Sequence, residues 1–421
     1  MNTQRFIKPI ILISCYFALT VTFSAVSQTS TITPTNEMKN YQGKTYVEQY
    51  CTACHSIKLI TNSSGYDYND WQALTKTMID LSSQDKIADS IFTYLTTTYP
   101  PNTLRTPTLI TGDAKISFTL WQTPTLGQRS RDPIEATDGT IWWAGQRQNL
   151  IGKINPTTGE MKEYLLPENA MPHTVTTDNA GNIWYTGNKN GSVGMLDIET
   201  EQITEYKMPD EKAKDPHSAI FDAKGTLWFT LQHSNMIGRL KPTTGEIKLV
   251  TMNAPKSKPY GIKIDANGAP WVACNGRNCL VKVNPETMEL TDIMLPNKAT
   301  RVRRLDIADN GIIWYVNSSQ GRLGRYNPED GKIKEWPSPS GKSSHPYAIA
   351  VIDNIVWYNE SGMRPDALVR FDPTTEKFQS WAIPSGKVYA GIIRHMRPTK
   401  NGNLLIHQSS TNKIIRVNII R

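Results

Sequence analysis

Short apolar segments separated by polar turns recur along most of this chain at a nearly fixed interval. In each repeat, one apolar segment precedes an Asp and a glycine-containing turn, a second carries a tryptophan, and two more follow, the last ending near a Pro. The tryptophans are Trp142, Trp184, Trp228, Trp271, Trp314 and Trp357, so successive repeats are 42 to 44 residues apart. Four short strands in a repeat of this length are typical of one β-propeller blade.

A seventh repeat is degenerate, with Leu405 where the tryptophan would stand. Only one further strand, 414–420, follows it, so this blade lacks its last strand. The segment 116–122 ends in Thr-Pro, much as the outer strands of the other repeats end, and we expect it to complete the blade and remove the open sheet edges. The pattern thus predicts a mainly all-β fold, a seven-bladed β-propeller over residues 116–421.

Before the propeller the pattern changes to helical spacing, over residues 39–100. Segments 41–50, 71–81 and 84–97 each place apolar side chains on one face, for example Trp71, Leu74, Met78 and Leu81. We therefore expect a small all-α domain there. The segments 28–38 and 101–115 are interpreted as linkers.

The first 27 residues read as a Sec-type signal peptide. Arg5 and Lys8 precede an apolar run over 10–26, and Ala25-Val26-Ser27 offers a cleavage site. Removal lowers the formal net charge from +8 to +6 and leaves no other segment able to span a membrane. We expect a periplasmic or otherwise exported protein; an uncleaved membrane anchor is the alternative. No Lys/Arg-rich run indicates nucleic acid as a partner.

The helical region contains Cys51-Thr52-Ala53-Cys54-His55, the attachment pattern for c-type haem. Two thiols at this spacing bond to the porphyrin vinyl groups and place His55 beneath the iron as an axial ligand. A redox dithiol or half of a zinc site is the alternative, but no second Cys pair lies nearby. The pattern predicts a cytochrome c-like domain with covalently bound haem c.

Met78 is predicted as the sixth ligand of the haem iron, because no other methionine lies between His55 and Met161. The alternative is a core methionine on an amphipathic helix. His/Met ligation favours electron transfer, which implies a redox partner protein.

Superposing the repeats on their tryptophans aligns the start of each innermost strand, eleven residues earlier, or ten in the sixth repeat. Because innermost strands line the central channel, these seven side chains should surround one end of it; we call them the channel ring. They are Arg131, His173, His217, Tyr260, Arg303, Tyr347 and Arg394, and His395 adjoins them. The cationic bias predicts a polar or anionic small-molecule substrate, with a water-filled polar channel as the alternative.

The segments 183–187 (IWYTG), 227–230 (LWFT) and 237–240 (IGRL) resemble the streptogramin B lyase (virginiamycin B lyase) family of seven-bladed propellers. The resemblance covers about residues 116–421 and implies a lyase that opens a cyclic ester by elimination. It also implies a magnesium ion held by a Glu and a His, with a nearby His as base. In the family's Trp-Phe-Thr-Glu position the acid occurs here only as Glu360.

Three functions remain open at this point. The first is an oxidoreductase whose propeller binds the substrate and whose haem passes electrons on. The second is a magnesium-assisted lyase of the streptogramin B lyase type, and the third is a non-catalytic binding or sensing propeller. Cys274 and Cys279 flank one short loop and could form a disulfide or remain two thiols.

Overall fold

The computed structural model describes residues 36–53, 56–57, 60, 65–101, 105–385 and 393–420. The expected signal peptide, most of the first linker, Cys54 and His55 lie outside these residues. Among the residues described, no helix is both long enough and apolar enough to cross a bilayer.

In the part of the chain that the structure describes, the propeller is preceded by the helices α1 (Asn36–Tyr46), α2 (Tyr68–Lys76) and α3 (Asp85–Thr98). A single π-helical turn, Val47–Cys51, extends α1. Helix α2 begins earlier than the apolar spacing predicts, because Asp67 and Asp70 form a reciprocal capping box. It also ends at Lys76, so Met78 follows the helix instead of lying on it. The three helices bury a common apolar cluster that includes Trp71, Ile91 and Leu95.

Seven four-stranded antiparallel sheets form the rest of the described chain, which confirms the predicted seven-bladed propeller. In each sheet the strands follow one another in sequence from the channel outward, except in the last blade. The blades consist of β2 (Ser130–Glu135), β3 (Ile141–Gly145), β4 (Leu150–Ile154) and β5 (Met161–Leu165); β6 (Pro172–Thr177), β7 (Ile183–Gly187), β8 (Ser192–Leu196) and β9 (Ile203–Lys207); β10 (Pro216–Phe221), β11 (Leu227–Leu231), β12 (Met236–Lys241) and β13 (Glu246–Thr251); β14 (Pro259–Ile264), β15 (Pro270–Cys274), β16 (Cys279–Val283) and β17 (Leu290–Met294); β18 (Val302–Ile307), β19 (Ile313–Asn317), β20 (Arg322–Tyr326) and β21 (Ile333–Pro337); β22 (Pro346–Ile352), β23 (Ile355–Glu360), β24 (Ala367–Asp372) and β25 (Lys377–Ala382); and β26 (Arg397–Pro398), β27 (Leu404–Gln408), β28 (Lys413–Ile420) and β1 (Lys115–Gln122).

The last blade is built from both ends of the propeller sequence. Strand β1 pairs antiparallel with β28 along its whole length, from Lys115 opposite Ile420 to Gln122 opposite Lys413. This pairing supplies the outer strand that the seventh repeat lacks. The ring is therefore closed by hydrogen bonds between segments that are far apart in the sequence.

In three blades the repeated Asp and Trp act together in the turn between the first two strands. The indole Nε1 of Trp184 donates to Asp178 Oδ2 at 2.8 Å, and Trp228 and Trp271 donate to the corresponding Asp at 2.9 Å. The same carboxylates accept backbone N–H groups of their turns. The tryptophans are buried between neighbouring blades, so the repeat encodes both the turn and the packing of the blades.

The glycine in the repeated Ile-Gly-Arg segment makes room for an aromatic ring. A Cβ on Gly238 would lie 2.3 Å from Phe229 of the adjacent strand, and one on Gly194 would lie 2.1 Å from Tyr185. Only a residue without a side chain permits this contact. The aromatic residue after the Trp and the glycine of the next strand therefore belong to one packing unit.

The helical region contacts the propeller through Thr77. The backbone carbonyl of Thr77 accepts hydrogen bonds from Gly127 N at 3.0 Å and from the side-chain amide of Asn412. Its hydroxyl lies 2.9 Å from the carbonyl oxygen of Ser410. These propeller residues lie in loops at the end of the channel where the inner strands begin. Met78 is thus held one residue from a propeller contact.

Candidate functional site

Six of the seven inner strands carry a one-residue bulge at the same place. In β2, for example, Arg131 pairs with Ala144 but Ile134 pairs with Trp142, and the same shift occurs in β6, β10, β14, β18 and β22. A bulge interrupts the alternation of side chains between the two faces. Two consecutive residues of each inner strand therefore face the channel. The first residues of these pairs belong to the channel ring, and the second residues form a layer below it.

The channel ring brings together the side chains that the superposed repeats single out. The His173 and His217 rings lie 3.5 Å apart, and His217 lies 4.2 Å from Tyr260, between centroids. Tyr260 and Tyr347 are hydrogen-bonded through their hydroxyls, and the Arg303 guanidinium lies 4.6 Å from the Tyr347 ring centroid. Residues from five different blades thus meet at one end of the channel.

Arginines crowd the same end of the channel. Burial lowers the pKa of Arg129, and the positive charges of Arg394, Arg131 and Arg147 lower it further. Arg131 donates from Nη1 to Gln146 Oε1 at 2.7 Å, while its Nε and Nη2 make no hydrogen bond. Such a cluster of guanidinium groups, in which two nitrogens of Arg131 make no hydrogen bond, favours an anion.

The channel ring is a packed floor and not a water-filled pore. Arg131, His173, His217, Tyr260 and Tyr347 are each at most 4% exposed. Arg129, Arg303 and Arg394 lie at the same end of the channel and are partly exposed. A ligand would therefore rest on this floor and meet the accessible guanidinium groups first.

Below the channel ring, Asp132 is the centre of a second layer of polar side chains. Asp132 Oδ2 accepts from Thr174 Oγ1 at 2.8 Å, lies 3.1 Å from His395 Nδ1, and lies 3.6 Å from Arg304 Nη2. Arg304 Nη1 also donates to Ser218 Oγ at 3.1 Å. We call these five residues the second layer. They come from five blades and cross the channel.

The second layer holds one ionised carboxylate. Burial disfavours the charge on Asp132, but His395, Arg304 and Arg131 hold its pKa well below its usual range. Burial and Arg304 in turn lower the pKa of His395, so a neutral imidazole donates the hydrogen bond. Beyond this layer lies a cavity of about 220 Å³ whose walls include Lys263 and Arg397.

The pKa values of the ionisable groups in the channel ring are shifted in different directions. Burial and the neighbouring arginines lower the pKa of His173 and His217, so both imidazoles are neutral. Burial raises the pKa of Tyr260 above its usual value. Burial acts in the same direction on Tyr347, but Arg303 and other arginines outweigh it and lower the pKa. Groups whose affinities differ in this way are suited to proton transfer.

The residues present do not fit the magnesium ion that the family resemblance implies. Glu360 is fully buried, and its carboxylate accepts the backbone N–H of Ser340 at 2.9 Å and the Ser340 hydroxyl. The nearby His345 is paired with Ser361 at 2.9 Å. Among the described residues, no group of three or more His, Cys, Asp or Glu side chains is arranged to hold a metal ion.

Cys51 and Met78 are the described residues of the expected haem site. Both pack against the apolar cluster of the helices. Burial raises the pKa of the Cys51 thiol to about 11. Cys54 and His55 lie outside the described residues.

Sequence reasoning missed Arg304 and the role of Asp132. The repeat alignment selects one residue per inner strand, whereas the bulge turns two toward the channel. The positive φ of Asp132, 50°, marks this distortion in the first blade. The adjacent pair Arg303-Arg304 was a visible signal, because an alternating strand would have placed the two on opposite faces.

Comparisons with known proteins agree with the fold. The sequence profile of the virginiamycin B lyase family matches residues 109–283, which is less than half of the chain. No curated protein is significantly similar in sequence.

Solved structures resemble the propeller more completely. Selenomethionine-substituted virginiamycin B lyase from Staphylococcus aureus is 21% identical, with a TM-score of 0.66 over 73% of this chain and 100% of that one. A catalytically inactive variant of the same enzyme with quinupristin is 22% identical, with a TM-score of 0.64 over 72% and 100%.

Hydrazine synthase from Kuenenia stuttgartiensis is 15% identical, with a TM-score of 0.52 over 61% of this chain and 79% of that one. At these identities the similarities speak for the fold. The chain carries a virginiamycin B lyase-like seven-bladed β-propeller.

Proposed function

We propose that this chain is an exported c-type haem protein whose propeller binds a small anionic substrate at the channel ring and exchanges electrons with it through the haem. The observation that carries the proposal is the excess of guanidinium groups at the ring. Arg129, Arg131, Arg147 and Arg394 repel one another there, and Asp132 is already engaged in the second layer.

Within the helical region, Cys51, Cys54 and His55 would attach the haem and Met78 would complete its axial ligation. When bound, such a group supplies one-electron transfer. The contact of Thr77 with Gly127 and Asn412 supports the proposal, because it joins the residue before Met78 to the propeller at the ring end of the channel. Arg131 and Arg303 would bind and orient the anion, and the neutral histidines would donate hydrogen bonds to it.

The haem part is tested on protein produced in a host that matures c-type cytochromes. We expect a covalently attached porphyrin that is lost in Cys51→Ala and Cys54→Ala and retained in the matched control Cys274→Ala. Met78→Ala should change the reduction potential and the spin state of the iron, whereas Met195→Ala in the propeller should change neither. Mature wild-type protein without covalent porphyrin would refute the haem assignment.

The binding part is tested by calorimetric titration with oxalate. Arg131→Gln and Arg303→Gln should each weaken binding at least about tenfold, since a hydrogen bond to a charged group contributes about 1.5–3 kcal/mol. The control Arg239→Gln lies on the outer part of a blade, against Trp228, and should bind as the wild type does. Equal affinity in all four proteins would refute the channel ring as the binding site.

A lyase acting on a cyclic ester is a second candidate, supported by the match to the virginiamycin B lyase family. The arrangement of Glu360 gives no route through magnesium, so no step is assigned to a metal. Incubation with a streptogramin B-type depsipeptide distinguishes the two functions. A lyase would release a linear product and leave the iron spectrum unchanged, whereas the oxidoreductase predicts no linear product.

A further inference from the structure

The groups that oppose the positive charge of the channel ring are mostly phenols. Burial lowers the pKa of Arg131 to about 10, and Asp132, Tyr260 and Tyr347 act against this effect while Arg394 reinforces it. Asp132 is shared with the second layer. Its Oδ1 lies 3.9 Å from Arg131 Nε, and its Oδ2 faces Arg304 and His395. One carboxylate therefore serves several buried cations, and a buried positive charge with too little counter-charge is unfavourable.

Tyr347 occupies the position with the most concentrated positive charge. It is 3% exposed, and Arg303 lies above its ring at 4.6 Å with Nη1 3.4 Å from the phenol oxygen. The hydroxyl of Tyr260 is hydrogen-bonded to the same oxygen. His345 faces it at 5.9 Å between ring centroids.

Charged groups on the other elements around Tyr347 act in the same direction. Arg394 of the last blade and Arg304 of the second layer both favour its anion, together with Arg303 and the hydrogen bond from Tyr260. Tyr260 itself lies beneath Arg304, at 5.4 Å from its ring centroid, but burial dominates there. The two phenols are therefore unequal partners in one hydrogen bond.

We propose that Tyr347 is the phenol of the channel ring that ionises first, its anion stabilised by Arg303 and by a hydrogen bond from Tyr260, and that this anion accepts one proton when an anionic ligand binds. This inference rests on the proposed anion site and specifies its chemistry. A ligand anion beside Arg303 takes over the counter-charge that the phenolate supplies, and the phenol then becomes neutral.

The proton has a defined origin in each case. For a ligand with an acidic O–H or C–H, the proton moves to Tyr347 Oη and the electron pair of the broken bond stays on the ligand, beside the arginines. For a ligand without such a proton, solvent provides it. The total charge of the ring and ligand is conserved in the first case, and no oxidant, reductant or co-reactant is required.

The early ionisation of Tyr347 is tested by ultraviolet absorption of tyrosinate in the holoprotein during an alkaline titration. We expect one tyrosine to ionise well before the others, and Tyr347→Phe to abolish that early step. Tyr315→Phe is the matched control, because Tyr315 is equally buried and donates to Glu335 at 3.0 Å; it should keep the step. An early step that persists in Tyr347→Phe, or is absent from the wild type, would overturn the proposal.

Two further variants identify the cause of the early ionisation. Arg303→Gln should move the step toward the normal tyrosine range near about 10, and Arg303→Lys, which keeps the charge, should move it less. Tyr260→Phe should also move it upward, because the hydrogen bond is lost. A step that stays in place in Arg303→Gln would contradict the assigned role of the guanidinium.

Proton uptake is measured by calorimetry with sulfate, which does not itself titrate near neutral pH, in buffers of different ionisation enthalpy. Above the pH of the early step, wild type is expected to take up a proton as sulfate binds, approaching about one per anion where the phenol of the free protein is fully ionised and that of the complex is neutral. Tyr347→Phe should bind without uptake. Binding without uptake in wild type would overturn this inference and leave the anion site standing. If sulfate and oxalate both fail to bind while the early ionisation is present, the proposed function fails and the ionised phenol remains.

Discussion

The channel ring and the second layer lie next to each other in one channel, yet they differ in how their arginines are paired with acidic groups. In the second layer, Asp132 is bonded to Thr174 and His395 and faces Arg304. In the channel ring, the charged neighbours of Arg129 are Arg394, Arg131 and Arg147. Arg131 lies 3.9 Å from Asp132 through its Nε, but two of its nitrogens make no hydrogen bond. The comparison teaches that an arginine with a carboxylate partner contributes to the structure, whereas one without such a partner is available to a ligand.

The largest expected effect comes from removing the carboxylate of the second layer. Asp132→Asn leaves Arg304 buried without its counter-charge and should lower the free energy of unfolding by about 3–5 kcal/mol. Urea denaturation measures this difference. Arg129→Gln at the same end of the channel is the comparison, and it should leave stability unchanged or raise it, because neighbouring arginines repel this guanidinium group. Equal losses in the two variants would remove the distinction between the layers.

A second effect concerns Asp366, a buried acid influenced by Arg394. Burial raises its pKa to about 7, although Arg394 and Arg364 pull it downward. Because the unfolded chain loses this proton near pH 4, the group's contribution to stability is complete below that pH and declines until the pH passes about 7.

Asp366→Asn should therefore abolish this decline and be more stable than wild type at pH 8, by at most about 4 kcal/mol. Thermal or urea unfolding at pH 4 and pH 8 checks the sign. The control Asp372→Asn lies at the surface end of β24 and should retain the decline. Parallel pH profiles for wild type and Asp366→Asn would show that this acid is ionised and that the channel ring has a carboxylate neighbour.

A third effect separates two arginines that are adjacent in sequence. Arg304→Met should lower stability, by about 1–3 kcal/mol, because hydrogen bonds to Ser218 and the ion pair with Asp132 are lost. Arg303→Met should instead weaken oxalate binding and leave stability nearly unchanged. Unfolding and binding are measured on both variants, and the reverse assignment of the two losses would contradict the comparison.

The smallest effect is the response to salt. Oxalate binding should weaken as ionic strength rises, because partly accessible guanidinium groups such as Arg303 are screened. Stability should depend little on salt, since the second layer is buried and screened less. A salt-independent affinity would place the binding energy elsewhere.

Much of the fold could be predicted from the sequence, because the repeated residues have local roles. The Asp and Gly belong to the turn between the first two strands, and the Trp packs between neighbouring blades. In three blades the Trp also donates a hydrogen bond to the Asp. The contacts among His173, His217, Tyr260 and Tyr347 could also be anticipated, since closing the ring brings equivalent positions together. These features depend on the period of the sequence, which a single chain displays.

The remaining features of the candidate site could not be predicted, because they depend on local deviations from the repeat of the sequence. The bulge turns Arg304 into the channel, and the repeat alignment, which selects one residue per inner strand, does not reveal it; the adjacent pair Arg303-Arg304 is its one local signal. The sequence allowed Glu360 to be interpreted as a metal ligand. Its carboxylate is instead hydrogen-bonded by Ser340, which lies in the loop before β22, the inner strand of the same blade. For the haem, Cys54 and His55 lie outside the described residues, and the attachment stays a prediction.

The pairing of β1 with β28 has a consequence for how the protein is made. Gln122 and Lys413 are neighbours in the last blade, but about 290 residues of chain are synthesised between them. Strand β1 can therefore pair only after the much later β28 has been synthesised, and such long-range pairing is expected to slow the closure of the ring. Closure of the propeller must follow the synthesis of all seven blades.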